Sequence, residues 1–373
     1  MGTEQTEQIY TLVNDVYGQM AGVEPITAIN TSTLVSMGDA VLSSTANTEA
    51  FMNTLVQRIG KTIMSYRKYT NQLSKLVMDD FQFGAIVQKI KVDMPTATAD
   101  EAYDLIDGQS VDQYKVAKPT AKQKLFVTRT PYKFFVTIQD VQLEEAFTSA
   151  EAMGAFIQAI YGEVQNKLEV TLEDLGRLAM ASYMANAGSS QIVNLVTNYN
   201  AATTSTLTAA TALFDADFLR YAIATIRNYA RRMETMSCLY NKEGEMRHTP
   251  QADQIYACLL DFETQLETVV QYAAFNEKFV SKIPTIEVPY WQAAQTPNQI
   301  NLNVKNGEST KNVTLNNVVA FLFDREALGT YRKEKRVATS PYNASGLYFN
   351  TFWHEKQMWF NDMSENGIIF TLN

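Results

Sequence analysis

The stretch SAEAMGAFIQAIYGEVQNKLEVTLEDLGRLAMASYMANA, residues 149–187, decides the fold. Met153, Ile157, Ile160, Val164, Leu168, Leu172, Leu175, Ala179 and Tyr183 recur at steps of three and four, the spacing that gathers them on one face of an α-helix. Thr148-Ser149-Ala150-Glu151 reads as a capping box and Gly188 as the stop. No proline interrupts the run. At ~1.5 Å per residue this predicts a helix on the order of 55 Å long. Such a helix exceeds a small domain, so it must run along an elongated body or be covered by other parts of the chain. The plainer alternative is an ordinary amphipathic helix broken at Gly162 or Gly176.

Upstream, the character of the chain changes. Ala85–Val92 ends in polar/apolar alternation, and Lys124–Thr128 and Tyr132–Ile138 are rich in aromatic and β-branched residues, so all three read as strands. The connection between the first two is too long for a tight turn and predicts an extended two-stranded loop. Its charge is segregated. Asp93, Asp100, Glu101, Asp104, Asp107 and Asp112 form an acidic half without a base, and Lys115, Lys118, Lys122, Lys124, Arg129 and Lys133 a basic half without an acid. Two solvated faces would explain this. So would docking on complementary charge of a neighbour, with Lys115, Lys118, Lys122, Lys124, Arg129, Asp100, Glu101 and Asp104 as intersubunit contacts.

Further upstream, residues 1 to about 46 are small and polar and read as a mobile or draped arm with one short helix. From Asn47, a plausible N-cap, Phe51, Leu55, Val56 and Ile59 fall at helical spacing, and Gly60 ends or bends that helix. Downstream, 189–336 reads as a mixed α/β region. It has helices at 215–236 and 251–274, then strands punctuated by Pro284, Pro289 and Pro297. Val313–Leu315 and Val318–Phe323 are strands, the second continuous enough to be buried. Tyr348, Asn350, Phe352 and His354 alternate as in a strand, and Gly367–Leu372 is a terminal strand built into the core.

Composition narrows the function. The 373 residues are 46% hydrophobic, enough for two or three compact units. A net charge of −9 makes the chain a poor wrapper of nucleic acid. Cys238 and Cys258 alone build no disulfide framework and read as reduced thiols. The first nineteen residues lack a signal peptide's basic start and apolar stretch, and no run approaches the ~18 apolar residues of a membrane helix. A protein made in a cytoplasm, or held in a particle assembled there, is expected.

No motif carries catalysis. Gly60-Lys61-Thr62 lacks the earlier glycine of a phosphate loop, because position 55 is Leu55. His354-Glu355 lacks the second histidine of a zinc-protease helix, because Met358 stands in its place. With only His248 and His354 a histidine-rich metal site is excluded, and no Gly-x-Ser-x-Gly elbow occurs. Asn30, Asn312 and Asn343 open sequons that mean little without secretion. The basic cluster Arg325, Arg332, Lys333, Lys335 and Arg336 is either a solvated face or an intersubunit contact. No cofactor and no metal is expected.

The order of elements resembles the tailed-phage major capsid fold named after phage Hong Kong 97: arm, extended loop, very long helix, mixed α/β region, apolar terminal strand. Phe51–Gly60 looks like the helix before the extended loop in short-tailed phages of the phi29 type, Asn343–His354 is similar to their late segment, and Asn361–Leu372 takes the place of their closing strand. The resemblance implies an α+β chain: an N-terminal arm to about 80, an extended β loop over 81–133, and a peripheral domain over 134–190 with the long spine helix. An axial α/β domain would follow over 191–336, and 337–373 would return to the peripheral domain. It implies no catalytic residues. Some relatives carry an extra immunoglobulin-like domain at the C-terminus, which is not expected in this chain. Implied partners are copies of the same chain in pentamers and hexamers, a scaffolding protein, a portal, and DNA enclosed without sequence-specific binding. The shell of an encapsulating nanocompartment shares the fold and is the nearest alternative; an α/β enzyme is more distant.

Overall fold

The protein, seen as a computed structural model, is described over residues 3–19, 30–59, 69–78, 284–306, 309–373 and 87–273 apart from 104, 109, 115 and 128. It divides into two units, Met1–Phe81 with Arg129–Asn373, and Gln82–Thr128.

Helices α1 (Thr3–Tyr17) and α2 (Thr31–Leu42) replace the single short helix expected of a draped arm. Ile9, Leu12, Val13 and Val16 of α1 and Leu34, Met37 and Val41 of α2 are buried in a common core. Their helical spacing was masked by the polar residues between them. Asn30 caps α2, its side chain accepting from the Thr33 N–H at 3.0 Å. Helix α3 (Thr45–Ile59) starts earlier than Asn47. Ser44 Oγ takes the capping role by accepting from the Asn47 N–H at 3.2 Å, while Asn47 Nδ2 donates to the Ala40 carbonyl. Gly60-Lys61-Thr62 lies outside the described residues.

Strands β1 (Val87–Val92) and β2 (Ala121–Phe126) belong to the smaller unit. Next come β3 (Arg129–Gln139), α4 (Asp140–Ala146) and α5 (Ala150–Ile157), then a π turn over Gln158–Gly162 and α6 (Glu163–Asn186). The long helix is therefore present and unbroken at Gly176. At Gly162 the chain widens by one residue per turn but stays helical (φ −62°, ψ −47°). The cap is Ser149, one residue later than the Thr148 expected. Ser149 Oγ accepts from the Ala152 N–H at 3.1 Å, and Thr148 Oγ1 turns back to the Glu145 carbonyl. Gly188 makes no left-handed stop, because Ala187 is already extended at φ −61°, ψ 150°.

The mixed region holds β4 (Ile192–Asn194), α7 (Leu195–Thr203), α8 (Ala209–Ala212), α9 (Ala216–Met233), β5 (Gln254–Leu259), α10 (Leu260–Ala273) and β6 (Thr285–Val288). Of the helix expected over 251–274, Leu260–Ala273 is helical, while Gln254–Leu259 is strand and Gln251–Asp253 a 3-10 turn. Every residue of β5 is buried, so its unbroken apolar run carries no period to tell strand from helix. The hairpin β7 (Ile300–Asn306) and β8 (Ser309–Leu315) precedes β9 (Val318–Asp324), β10 (Leu328–Thr339), β11 (Tyr348–Asn361) and β12 (Gly367–Thr371).

Five strands form a mixed sheet in the order β4-β12-β9-β5-β6. Buried β12 pairs parallel to β4 and antiparallel to β9, so the last strand is a central one. A second sheet, β10-β11-β3, is antiparallel. Two apolar cores result. Val164 and Leu168 at the start of α6 belong to the core of α1–α5. Met180, Tyr183 and Met184 near its end belong to the core of the five-stranded sheet. One helix thus joins both, which accounts for its length. Of the basic cluster, Arg332 pairs within the chain, 2.7 Å from Glu169 and 3.6 Å from buried Glu355, and Lys335 donates to Gln165.

Candidate assembly surface

The unit Gln82–Thr128 contains the residues singled out for contact with neighbours except Arg129, which opens β3 in the larger unit. β1 and β2 pair antiparallel from Val87↔Phe126 to Val92↔Ala121, and the Asp93 N–H closes the ladder on the Thr120 carbonyl at 2.9 Å. Alternation then sorts the ribbon into two faces. One carries Lys89 opposite Lys124 and Lys91 opposite Lys122; the other carries Ile90 and Val92 with Gln123 and Leu125. A two-stranded ribbon of this kind is marginal as an independent structure. Lys89 and Lys91 escaped the reading of charge blocks because they precede the acidic half; the Gln-Lys-Ile-Lys-Val alternation was their signal.

Beyond the ribbon the acids do local work. Asp100 Oδ1 accepts from the Ala102 N–H at 3.0 Å and Asp112 Oδ1 from the Tyr114 N–H at 2.9 Å, so both carboxylates hold turns. Glu101 opens a single 3-10 turn and is exposed. Lys122 Nζ meets Asp93 Oδ1 at 3.0 Å, so one pair of the segregated charges is satisfied inside the loop. Both partners are substantially exposed, and such a pair contributes about 0–1 kcal/mol. Lys118 is exposed and Lys124 half-buried. Asp104 and Lys115 lie outside the described residues, as does the Arg129 side chain.

The apolar residues are the larger signal. Among the described residues of this unit eleven large ones are exposed, including Tyr103 at 87%, Tyr114 at 80%, Val116 at 77% and Ile106 at 66%. Among its described residues no apolar side chain is buried. Those between the strands, from Met94 to Val116, follow no period, so sequence reading passed over them. Exposed apolar residues in this number make the unit a candidate binding surface, and each such side chain gains about 1.5–3 kcal/mol when fully covered.

Comparison with known proteins identifies the family. The family model of the Phi29-like phage major capsid protein matches residues 9–371. The major capsid protein of Bacillus phage GA-1 is 24% identical over 178 residues, 47% of this chain and 37% of that protein. That of Bacillus phage B103 is 28% identical over 156 residues, 41% of this chain and 33% of that protein. The chain thus spans little more than a third of these relatives. The capsid structure of Staphylococcus phage Andhra superposes with a TM-score of 0.52 at 12% identity over 84% of this chain and 87% of that one, a likeness of fold. Two cores on one long helix, a two-stranded unit with no buried apolar side chain among its described residues, a central terminal strand and a family match over nearly the whole length lead to one conclusion: the chain belongs to the Phi29-like phage major capsid protein family.

Proposed function

We propose that the chain is a major capsid protein that self-assembles into the icosahedral head shell enclosing the double-stranded DNA of a short-tailed phage. It works by repeated contact with copies of itself and not by catalysis. The observation that carries this reading is the unit Gln82–Thr128, which exposes eleven large apolar side chains and buries none among its described residues. A segment that cannot bury its own apolar surface needs a cover, and permanent assemblies cover ~2,000–5,000 Å² per interface. Shell contacts of this type are heterologous and close by symmetry into pentamers and hexamers.

In this reading 81–133 is the extended loop and 1–80 the N-terminal arm, while 134–190 and 337–373 form the peripheral domain and 191–336 the axial domain. Assembly takes place in the host cytoplasm with a scaffolding protein and a portal, and the DNA is held without sequence-specific binding, as suits a net charge of −9.

The test is to remove the loop and spare the rest. Val92 and Ala121 are direct cross-strand partners, so an Asn-Gly turn can replace residues 93–120 between them. The shortened chain is expected to keep the thermal unfolding of the parent and to form no closed shells under electron microscopy. Normal shells from it would overturn the reading.

A further inference from the structure

The antiparallel sheet β10-β11-β3 has a covered face and an open one. Ile138, Phe349 and Trp353 are buried on the inner face, where Phe134 and Val136 also pack against the core of α1–α5. Strand alternation puts Lys133 and Phe135 of β3 and Phe352 and His354 of β11 on the other face, where Phe352 is half-buried and the rest are exposed. Register sets these side chains in rows. Lys133, His354 and Arg336 stand opposite one another across the three strands, and Phe135, Phe352 and Ala338 form the next row. Phe135 is 61% exposed, and its ring centre is 6.2 Å from that of Phe352 with 35° between the planes. The His354 ring lies 6.3 Å from Phe352 at 28°. Lys133 Nζ is 5.9 Å from the centre of the Phe352 ring, and among the described residues it makes no ion pair. Arg336 already has a partner within the chain, so Lys133 is the cation that this face leaves to a ligand.

We infer that this face is a platform for single-stranded nucleic acid, with bases stacking on Phe135, Phe352 and His354 and Lys133 meeting the phosphate backbone. Aromatic rings on adjacent strands of an open antiparallel sheet are the arrangement on which two or three unpaired bases stack. Every base has a π-face, so such a platform tolerates any sequence. A duplex keeps its bases stacked on one another and presents only phosphate to the rings. An acidic peptide would also meet Lys133, but its carboxylates leave the three rings without a planar partner. The net charge of −9 opposes polyanions and the platform has few cations, so stacking carries the affinity. The inference stands apart from the shell reading, because neither assembly nor enclosure of duplex DNA calls for it.

The experiment is fluorescence anisotropy of the full chain, kept below its assembly concentration, with a labelled strand of about twelve thymidines and with the matching adenine–thymine duplex. The strand should bind at least about ten-fold more tightly than the duplex. Phe135→Leu, which keeps an apolar contact and removes the ring, should weaken strand binding about ten-fold, and Phe135→Trp should preserve it. Both should melt as the parent does, since this side chain is mostly exposed. Lys133→Gln should lower the salt slope of binding by about 0.7, the share of one phosphate contact. Equal affinity for strand and duplex overturns the inference, as does parent-like binding by Phe135→Leu. Tighter occupation of the face by a synthetic peptide of residues 93–114 also overturns it, since the face would then join copies of the chain. Shell yield of the same variants is read by electron microscopy. Unchanged yield with weakened strand binding supports the inference, and lost yield with unchanged strand binding overturns it. Absence of shells from the parent chain overturns the shell reading alone.

Discussion

At the scale of single residues, the interior of the larger unit is held by a few polar anchors. Arg177 on α6 pairs with Glu173 one turn earlier, donates to the Tyr290 hydroxyl at 2.8 Å and lies 4.4 Å over that ring. Glu173 also accepts from Tyr69, whose hydroxyl is pushed up to about 12 by burial and then by that carboxylate. Because the pair is nearly enclosed, Arg177→Leu leaves an unpaired buried carboxylate and should cost about 3–5 kcal/mol in urea unfolding, with partial recovery in the double variant Arg177→Leu/Glu173→Gln. Gly367 opens β12 where an added Cβ would stand 2.7 Å from both the ring edge and the hydroxyl of buried Tyr183. That ring cannot retreat, since its hydroxyl donates to the Glu365 carbonyl at 2.7 Å and accepts from Gln191. Gly367→Ala should therefore destabilise the subunit by about 1–3 kcal/mol, visible as a lowered melting temperature. Asp324 gives a pH signature. Burial raises it above the ordinary 3.8, against hydrogen bonds from the Glu326 N–H and Thr249 that oppose the rise. A carboxyl raised on folding stabilises the native state below its unfolded pKa, and that contribution is lost as pH climbs through the folded value. Asp324→Asn should thus show a smaller loss of melting temperature between about pH 4 and 7 than the parent.

Elements differ in how far the sequence disclosed them. The long helix was legible because nine apolar residues keep one period through it, and the π turn at Gln158–Gly162 shifts register without ending it. β12 was legible from six apolar-rich residues at the chain's end. The first half of the segment expected as a helix over 251–274 was not, because β5 is covered on both faces and a uniformly apolar run has no period. The candidate assembly unit was half legible. Its acidic and basic halves stand in the sequence, but the lysine face of the ribbon appears only when Lys89 and Lys91 are set opposite Lys124 and Lys122, a matter of register. Asp100 and Asp112 turned out to hold turns, a role that charge counting does not reveal. The element-scale prediction follows from that ribbon. Reversing Lys118, Lys122 and Lys124 to Glu should leave the melting of the larger unit unchanged and sharply reduce shell yield by electron microscopy. A reduction in melting with normal shells would assign those lysines to the subunit's own fold.

For the molecule as a whole, the proposed reading divides stability and association between the two units. The larger carries two apolar cores joined through α6, so it has what a subunit needs to fold alone. Among its described residues the smaller exposes apolar side chains and buries none, which suits adhesion to a neighbour. Permanent assembly from such a chain needs no active site, because function resides in complementary faces repeated on every copy. The most direct measurement is the mass and shape of the purified, expressed chain by mass spectrometry of the intact assembly with electron microscopy. The account predicts closed shells of megadalton mass built from this polypeptide in five- and six-fold clusters. A monodisperse particle of 41.9 kDa, unchanged by concentration and by added scaffolding protein, would contradict it.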